Sequence, residues 1–309
     1  MKIGVVGNGF VGHAMTLLRP YVDVLVWDVV EEKREPKELD IETFVEESEI
    51  IFVAVPTPMN KDGSANLDIV RAVCEEIQEI DDTKYIVLRS TVPPGTCEEL
   101  DVNFMPEFLT EKNWKEDFKN CDQWILGSGD LFLYEKMKRM FELAYNNGNG
   151  SVVNKNVIQC KPAEAEMIKY LKNVFLSVKV GFFNELESIC TELDIDYENV
   201  RCIATQDKRI GSGHTKVPGH DGRRGFGGTC FPKDTNALAS FAKNNDIETP
   251  ILDAVIKRNE EIDRPEQDWK LDKGRAVAKE TNEPTTTNSA DKIILDEEIK
   301  ISREPKQVS

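Results

Sequence analysis

The chain has 309 residues, enough for two domains, and a composition of 40% hydrophobic and 31% charged residues predicts an ordinary folded core. A formal net charge of −17 repels nucleic acid and anionic lipid, so neither is expected as a partner, and an anionic ligand would need local Lys and Arg. Seven cysteines, at 74, 97, 121, 160, 190, 202 and 230, follow no CxxC or CxxH spacing, which argues against zinc and a disulfide scaffold and fits a reducing cytosol. No apolar run reaches the roughly 18 residues that span a bilayer. The N-terminus runs straight into a strand without a cleavable leader, so neither membrane insertion nor secretion is expected.

Residues 2 to 6 read as a short buried strand, followed at once by Gly7-Asn8-Gly9-Phe10-Val11-Gly12 and a helix-compatible run from His13 to Leu18. A second strand, Val22 to Trp27, ends at Asp28. This is a dinucleotide-binding fingerprint in its required strand, turn, helix and strand setting. Gly7 makes the tight turn, Gly9 lets backbone approach a pyrophosphate, and Gly12 permits close helix packing. The helix start attracts negative charge, and Asp28 accepts hydrogen bonds from an adenosine ribose, which points to NAD rather than its 2′-phosphorylated form, while the motif itself does not distinguish nicotinamide from flavin. His13 reads as a first-turn helix residue rather than a catalyst.

Strand-like runs Ile50–Val55 and Tyr85–Ser90 close on polar turns containing Pro56-Thr57-Pro58 and Thr91-Val92-Pro93. Their alternation with helices predicts a parallel α/β sheet of the Rossmann type, with ligands beyond the carboxyl ends of its strands. Segments 102–104 and 123–127 are expected to complete it, with a turn at 146–150 near its end. From Pro162 to Leu193 the period becomes helical, with apolar Met167, Leu171, Val174, Val178, Phe182, Leu186 and Ile189. Such a helix, roughly 48 Å long, joins two domains or forms an oligomer core. Lys169 and Asn173 share a face offset from that stripe, and on their own read as solvated helix surface.

Residues 197–206 are expected to be helical, and 207–224 form a loop that Arg209, Lys216, Arg223 and Arg224 make locally basic, where an anion would be welcome. His214 and His220 lack a third ligand and read as loop residues. Gly225-Phe226-Gly227-Gly228-Thr229-Cys230-Phe231-Pro232-Lys233-Asp234 then places a thiol on a glycine-rich turn beside an ammonium and a carboxylate, which suggests covalent chemistry. The glycines are expected to let backbone approach a substrate. Helices at 235–244 and 250–262 follow. From Arg264 the chain is charged and reads mostly as tail, with Ile293-Ile294-Leu295 and Ile299-Lys300-Ile301 as a short docking element. The expected division is 1–155, a Rossmann domain; 156–263, a central helical domain; and 264–309, a charged tail.

The combination of the GNGFVG turn with Asp28, Val55-Pro56-Thr57-Pro58, Ser90-Thr91-Val92-Pro93, Pro106-Glu107-Phe108-Leu109, the helix bearing Glu166, Lys169, Asn173 and Phe183-Asn184-Glu185, and the Gly225–Asp234 motif resembles the UDP-glucose/GDP-mannose dehydrogenase family. The Cys-Phe-Pro-Lys-Asp wording is similar to its UDP-glucose and GDP-mannose members rather than those acting on N-acetylhexosamines. The resemblance implies oxidation of a nucleotide-sugar alcohol, UDP-glucose first, to a carboxylate with two NAD⁺. Cys230 would carry a thiohemiacetal and then a thioester. Lys169 and Asn173 would stabilise the oxyanion, and Thr91, Glu107 and Asp234 would position water and relay protons. It further implies cofactor contacts at Gly7, Gly9, Phe10, Val11, Gly12, Asp28, Pro56, Thr57, Ser90, Thr91, Glu111 and Lys233. Substrate contacts fall at Phe108, Leu109, Thr110, Glu111, Lys169, Asn173, Gly225, Phe226, Gly227 and Gly228, with Arg209 reaching a neighbouring subunit's substrate in a homodimer built on the long helix.

Two departures accompany the resemblance. Thr110-Glu111-Lys112-Asn113 replaces the family's usual Arg-Glu-Gly, which bears on sugar selectivity, and only a short charged segment stands where a C-terminal UDP-binding domain is usual. The chain therefore reads as a short form. Either the basic loop and a partner subunit hold the nucleotide, or the substrate differs, or the tail replaces something lost. A two-electron dehydrogenase of the 6-phosphogluconate or 3-hydroxyacid type, which needs no cysteine, and a catalytically silent NAD-binding module are the alternatives.

Overall fold

The computed structural model describes residues 1–146 and 149–279. The strands are β1 (Lys2–Val6), β2 (Asp23–Trp27), β3 (Ile50–Val53), β4 (Tyr85–Leu88), β5 (Asn103–Phe104), β6 (Trp124–Gly127) and β7 (Val157–Cys160). The helices are α1 (Phe10–Ala14), α2 (Ile41–Glu47), α3 (Asp68–Ile80), α4 (Thr96–Glu99), α5 (Trp114–Lys119), α6 (Leu131–Tyr145), α7 (Pro162–Glu192), α8 (Tyr197–Ala204), α9 (Phe231–Asn244) and α10 (Pro250–Arg258). Among the described residues no helix is long and apolar enough to cross a membrane.

Two compact units divide the described chain: 1–56 with 67–167, and 57–66 with 168–279. The division falls inside α7 rather than at residue 155, and the loop after Pro56 belongs to the second unit. All seven strands lie in the first unit, in the order β2-β1-β3-β4-β5-β6-β7. Pairing is parallel except at Phe104–Gly127, where β5 meets β6 antiparallel. Strand β3 is a run of Ile, Phe and Val buried on both faces, and β1 is buried from Ile3 to Val6, as a sheet covered by helices requires. The order reverses between β1 and β3, the switch point where a ligand crevice opens in such sheets. Asp40 and Asp130 cap α2 and α6 by accepting from Thr43 N and Leu133 N. The edge strand β7 was not expected, because four residues containing Gln159 and Cys160 carry no strand alternation. The 146–150 turn falls partly, and the two apolar triplets at 293–295 and 299–301 wholly, outside the described residues.

The long helix runs as expected, but its stripe is only partly covered: Val174 is buried and Val178 and Leu186 pack against apolar neighbours, while the rest faces outward. Leu171 and Phe182 are about 60% exposed, and Met167, Phe175 and Ile189 are exposed with them. Glu166, Lys169, Tyr170, Asn173, Ser177 and Asn184 are buried instead, so the solvated reading of Lys169 and Asn173 is corrected. Periodicity locates a distinct face without saying which partner covers it. The segment after Arg264, read as tail from its charge, is folded through Lys279. Trp269 and Ala276 are buried beside Met59, whose N–H donates to Ala276 O (2.9 Å) and whose carbonyl accepts from Ala278 N (2.8 Å). Its charges are paired with one another and with the preceding loop, and composition cannot register that pairing.

Within the first unit, Glu166 is fully buried and its carboxylate accepts from Gly95 N (2.6 Å) and Cys97 N (2.8 Å), holding the turn after Thr91 to the start of α7. Burial pushes this carboxyl above its ordinary range, against the two hydrogen bonds. A raised folded pKa stabilises most below the unfolded value, and that contribution is lost as pH rises through the folded value. Glu166→Gln turns an amide donor toward one of these N–H groups and should cost about 2 kcal/mol at neutral pH. Urea denaturation at several pH values should show that cost, together with loss of the wild-type decline across the window from the ordinary to the raised pKa.

Candidate active site

In the first unit the fingerprint turn sits at the switch point. Gly7 has φ +89°, and a side chain there would strike Ala54 O, while a Cβ at Gly12 would lie 1.9 Å from Gly7 O. These two glycines exist for packing. Gly9 differs, since a Cβ there would meet nothing within 4 Å. Its open space is a cradle for a phosphate approaching the start of α1, formed by Phe10 and Val11, and on this ground the residues fit NAD. Asp28 is buried and accepts from Asn8 N (2.7 Å) and Val30 N (2.9 Å). A carboxylate has about four acceptor positions, so capacity remains for ribose hydroxyls. Asn8 also donates to Lys33 O and bonds His13 Nδ1, making His13 part of the turn's bracing.

Further along the same strand ends, Ser90 Oγ donates to Val55 O (2.7 Å), tying the β3 and β4 termini beside Pro56. Thr91 and Glu107 are buried, and Glu107 accepts from Leu109 N (2.7 Å), bracing its own loop. Leu109 packs on the core, Phe108 is half-buried, and Thr110 is engaged with Asp117 through both its N–H and hydroxyl, leaving Glu111 exposed. The Leu109 and Thr110 side chains are thus occupied, and their backbone is what the loop presents.

In the second unit, Thr57 is buried and Lys169 and Asn173 stand one turn apart on α7. Tyr170 and Val174 pack with Ala237, fixing α7 against α9. Asn173 Nδ2 donates to Asp234 Oδ2 (2.6 Å), and Lys233 Nζ donates to Asp234 Oδ1 (2.5 Å). Asp234 is 1% exposed, so an ammonium and an amide together hold a buried carboxylate in one orientation. Helix α9 begins at Phe231, earlier than expected, which makes Cys230 its N-cap residue. A helix start favours thiolate, and the half-buried thiol lies 3.7 Å from Thr229 Oγ1.

The glycines of this turn divide in the same way. A Cβ at Gly225 would strike Asn259 Oδ1 and one at Gly227 would strike the Arg264 guanidinium, so packing alone accounts for a glycine at both. Gly228, at φ +72° with nothing within 4 Å, is the open one. Phe226 is buried and clasped by Asn259 through both its N–H (2.8 Å) and its carbonyl (2.9 Å), and Gly225 N donates to Asn184 Oδ1 (3.1 Å). Asn259 and Arg264, more than 30 residues from the turn they hold, carried no local signal.

The basic loop is also corrected. Arg209 pairs with Asp207, Arg223 with Glu266 and Asp268, and Arg224 with Glu187, which neutralises most of the expected anion attraction. Arg209 is nonetheless 89% exposed and stands outward. Among the described residues no cluster of His, Cys, Asp and Glu could hold a metal ion.

The glycine geometry makes a prediction for the cofactor turn. Gly9→Val should leave the melting temperature within ~2 °C of wild type while weakening NAD binding by at least ~10-fold in calorimetry, because it fills only the cradle. Gly12→Ala, which overpacks the turn, should destabilise the fold by about 1–3 kcal/mol.

Comparison with known proteins bears on these two units. The NAD binding domain of the UDP-glucose/GDP-mannose dehydrogenase family matches residues 14–145, and its central domain matches 163–261. The UDP-glucose 6-dehydrogenase of Rickettsia bellii is 34% identical over 227 residues, covering 69% of this chain and 50% of that protein. That of Pseudomonas aeruginosa is 32% identical over 263 residues, covering 79% and 56%. The chain spans about half the length of the curated relatives it matches. Among solved structures, a UDP-glucose dehydrogenase from Pyrobaculum islandicum superposes with TM-score 0.72 at 29% identity, covering 84% of this chain and 68% of that one. A GDP-mannose dehydrogenase from Pseudomonas aeruginosa gives 0.60 at 25% identity with the same coverage. With both domains matched in order over most of its length, the chain belongs to the UDP-glucose/GDP-mannose dehydrogenase family.

Proposed function

We propose that the chain carries out NAD-dependent, four-electron oxidation of a nucleotide sugar, converting the C6 alcohol of UDP-glucose to the carboxylate through a covalent Cys230 adduct. The observation that supports this reading is a thiol at the start of α9 one turn before Asp234, a carboxylate fixed by Asn173 and Lys233. NAD, held by the Gly7–Gly12 turn and Asp28, supplies the hydride acceptor. Lys169 and the second N–H of Asn173 offer donors where negative charge develops on the C6 oxygen. Loss of a first C6 hydride to the acceptor and of the hydroxyl proton converts the alcohol to the aldehyde. The Cys230 thiolate adds to its C6 and the oxygen takes up a proton, giving a thiohemiacetal. Loss of the C6 hydride and the hydroxyl proton leaves a thioester. Water then adds to its carbonyl, the C–S bond breaks, and the thiolate returns as the carboxylate leaves. Asp234 orients that water and takes its proton, with Thr91 and Glu107 in the relay.

Purified chain given UDP-glucose and NAD⁺ should release two NADH per sugar, and Cys230→Ser should stall as an oxygen ester seen by intact mass. One NADH per sugar with a fully active Cys230→Ala variant would favour the two-electron chemistry instead. No turnover despite NAD binding would favour a silent module. The same assay with GDP-mannose and UDP-N-acetylhexosamines ranks the sugars, a choice on which the Thr110–Asn113 departure bears.

The exposed Leu171, Phe175, Phe182 and Ile189 on α7 support a homodimer in which a second copy covers this face, with the outward Arg209 serving the neighbour's substrate. Light scattering should give a dimeric mass for the wild type and a monomeric one for Leu171→Glu/Phe175→Glu. A monomeric wild type would remove the proposal.

A further inference from the structure

Arg264 lies beyond the residues matched by the family's central domain, in the segment that composition reads as tail. It is 3% exposed, and its guanidinium is held on three sides: Nε to Asp268 Oδ1 (2.6 Å), Nη2 to Asp268 Oδ2 (2.7 Å) and Nη1 to Asp221 Oδ2 (2.7 Å). A bidentate carboxylate fixes the plane of the fork, and a third acceptor locks its rotation. The guanidinium lies against the backbone of Gly227, where a Cβ would come within 2.4 Å of Cζ.

Three residues later stands Cys230. Between them a side chain on Gly228 would meet nothing within 4 Å, and on the far side α9 is anchored to α7 through Ala237, Tyr170 and Val174. The short span from Gly228 to Cys230 therefore runs from the braced Gly227 to the first turn of α9. We propose that Arg264 is a positioning residue for Cys230, a flat strut on which Gly227 rests and which sets where the nucleophile stands. This rests on the reading of Cys230 as the nucleophile. The strut is coupled to the loop after Thr57, because the segment beginning at Arg264 also buries Trp269 and Ala276 against Met59. One stretch of chain therefore braces the cysteine turn and a loop expected to meet the cofactor.

The test uses the full chain and two variants that approach the contact from opposite sides. Arg264→Lys keeps the charge between Asp221 and Asp268 but removes the planar fork. Gly227→Ala keeps the arginine and adds the clashing methyl, and since Gly227 is not in the left-handed region, alanine there is otherwise permitted. The primary readout is the rate of Cys230 carbamidomethylation by iodoacetamide, followed by peptide mass spectrometry to separate it from the other thiols. It needs no turnover. Each variant should change that rate at least fivefold and lower kcat at least tenfold with KM for NAD within twofold, and the double variant should be no worse than the more severe single one. Rates within twofold of wild type in both folded variants, an unchanged kcat, or effects that multiply in the double variant would overturn the proposal. Should Arg264→Lys fail to fold, Gly227→Ala decides alone. Should Cys230 prove dispensable for turnover, the proposed reaction falls while the alkylation ratio still judges the strut.

Discussion

The hydrogen bond from Asn173 to Asp234 ties the second unit together. A carboxylate with almost no exposure is costly to bury unless its oxygens are satisfied, and here one oxygen takes an amide from α7 and the other an ammonium from the preceding residue on α9. Meeting that requirement fixes the register of α7 against α9, and the apolar contact of Tyr170 and Val174 with Ala237 reinforces it. Helix α9 begins three residues before Asp234, with Pro232 in its first turn, and so Cys230 stands at a helix start, where the partial charge favours thiolate. A pair of helices that must share one buried charge thereby aligns the groups suited to the proposed chemistry.

The first unit follows the same logic with backbone donors. Asp28 takes the N–H groups of Asn8 and Val30, and Glu166 takes those of Gly95 and Cys97. In each case a carboxylate fixes a turn at the carboxyl end of a parallel sheet, and the turn is left facing the region where such sheets bind ligands. The glycines divide accordingly. Gly7 and Gly12 are small because backbone lies against them, and Gly9 is small because nothing does.

The βαβ fingerprint, the parallel order of the early strands and the length of α7 were legible in the sequence, since each rests on local periodicity and turn chemistry over neighbouring residues. The cysteine turn was legible as chemistry, but the roles of its glycines were not. Gly225 and Gly227 looked like room for a substrate, and they are room for Asn259 and Arg264, which stand far along the chain. The arginines of the 207–224 loop looked free, but Arg209 pairs with Asp207 in the loop itself, and Arg223 and Arg224 pair with carboxylates of two other segments. Strand β7 was missed because four residues without alternation carry no period.

By itself the sequence determined that this is a two-part α/β chain with a dinucleotide turn, a long helix and a reactive-looking cysteine, because those features are written in residues a few positions apart. Tertiary structure alone decided which face of the long helix is buried. A helical repeat marks both an apolar stripe and the face carrying Lys169 and Asn173, and burial depends on what is packed against each. It also decided that the charged stretch after Arg264 is a brace, since charge predicts solvation only until a distant partner of opposite sign is brought within hydrogen-bonding distance.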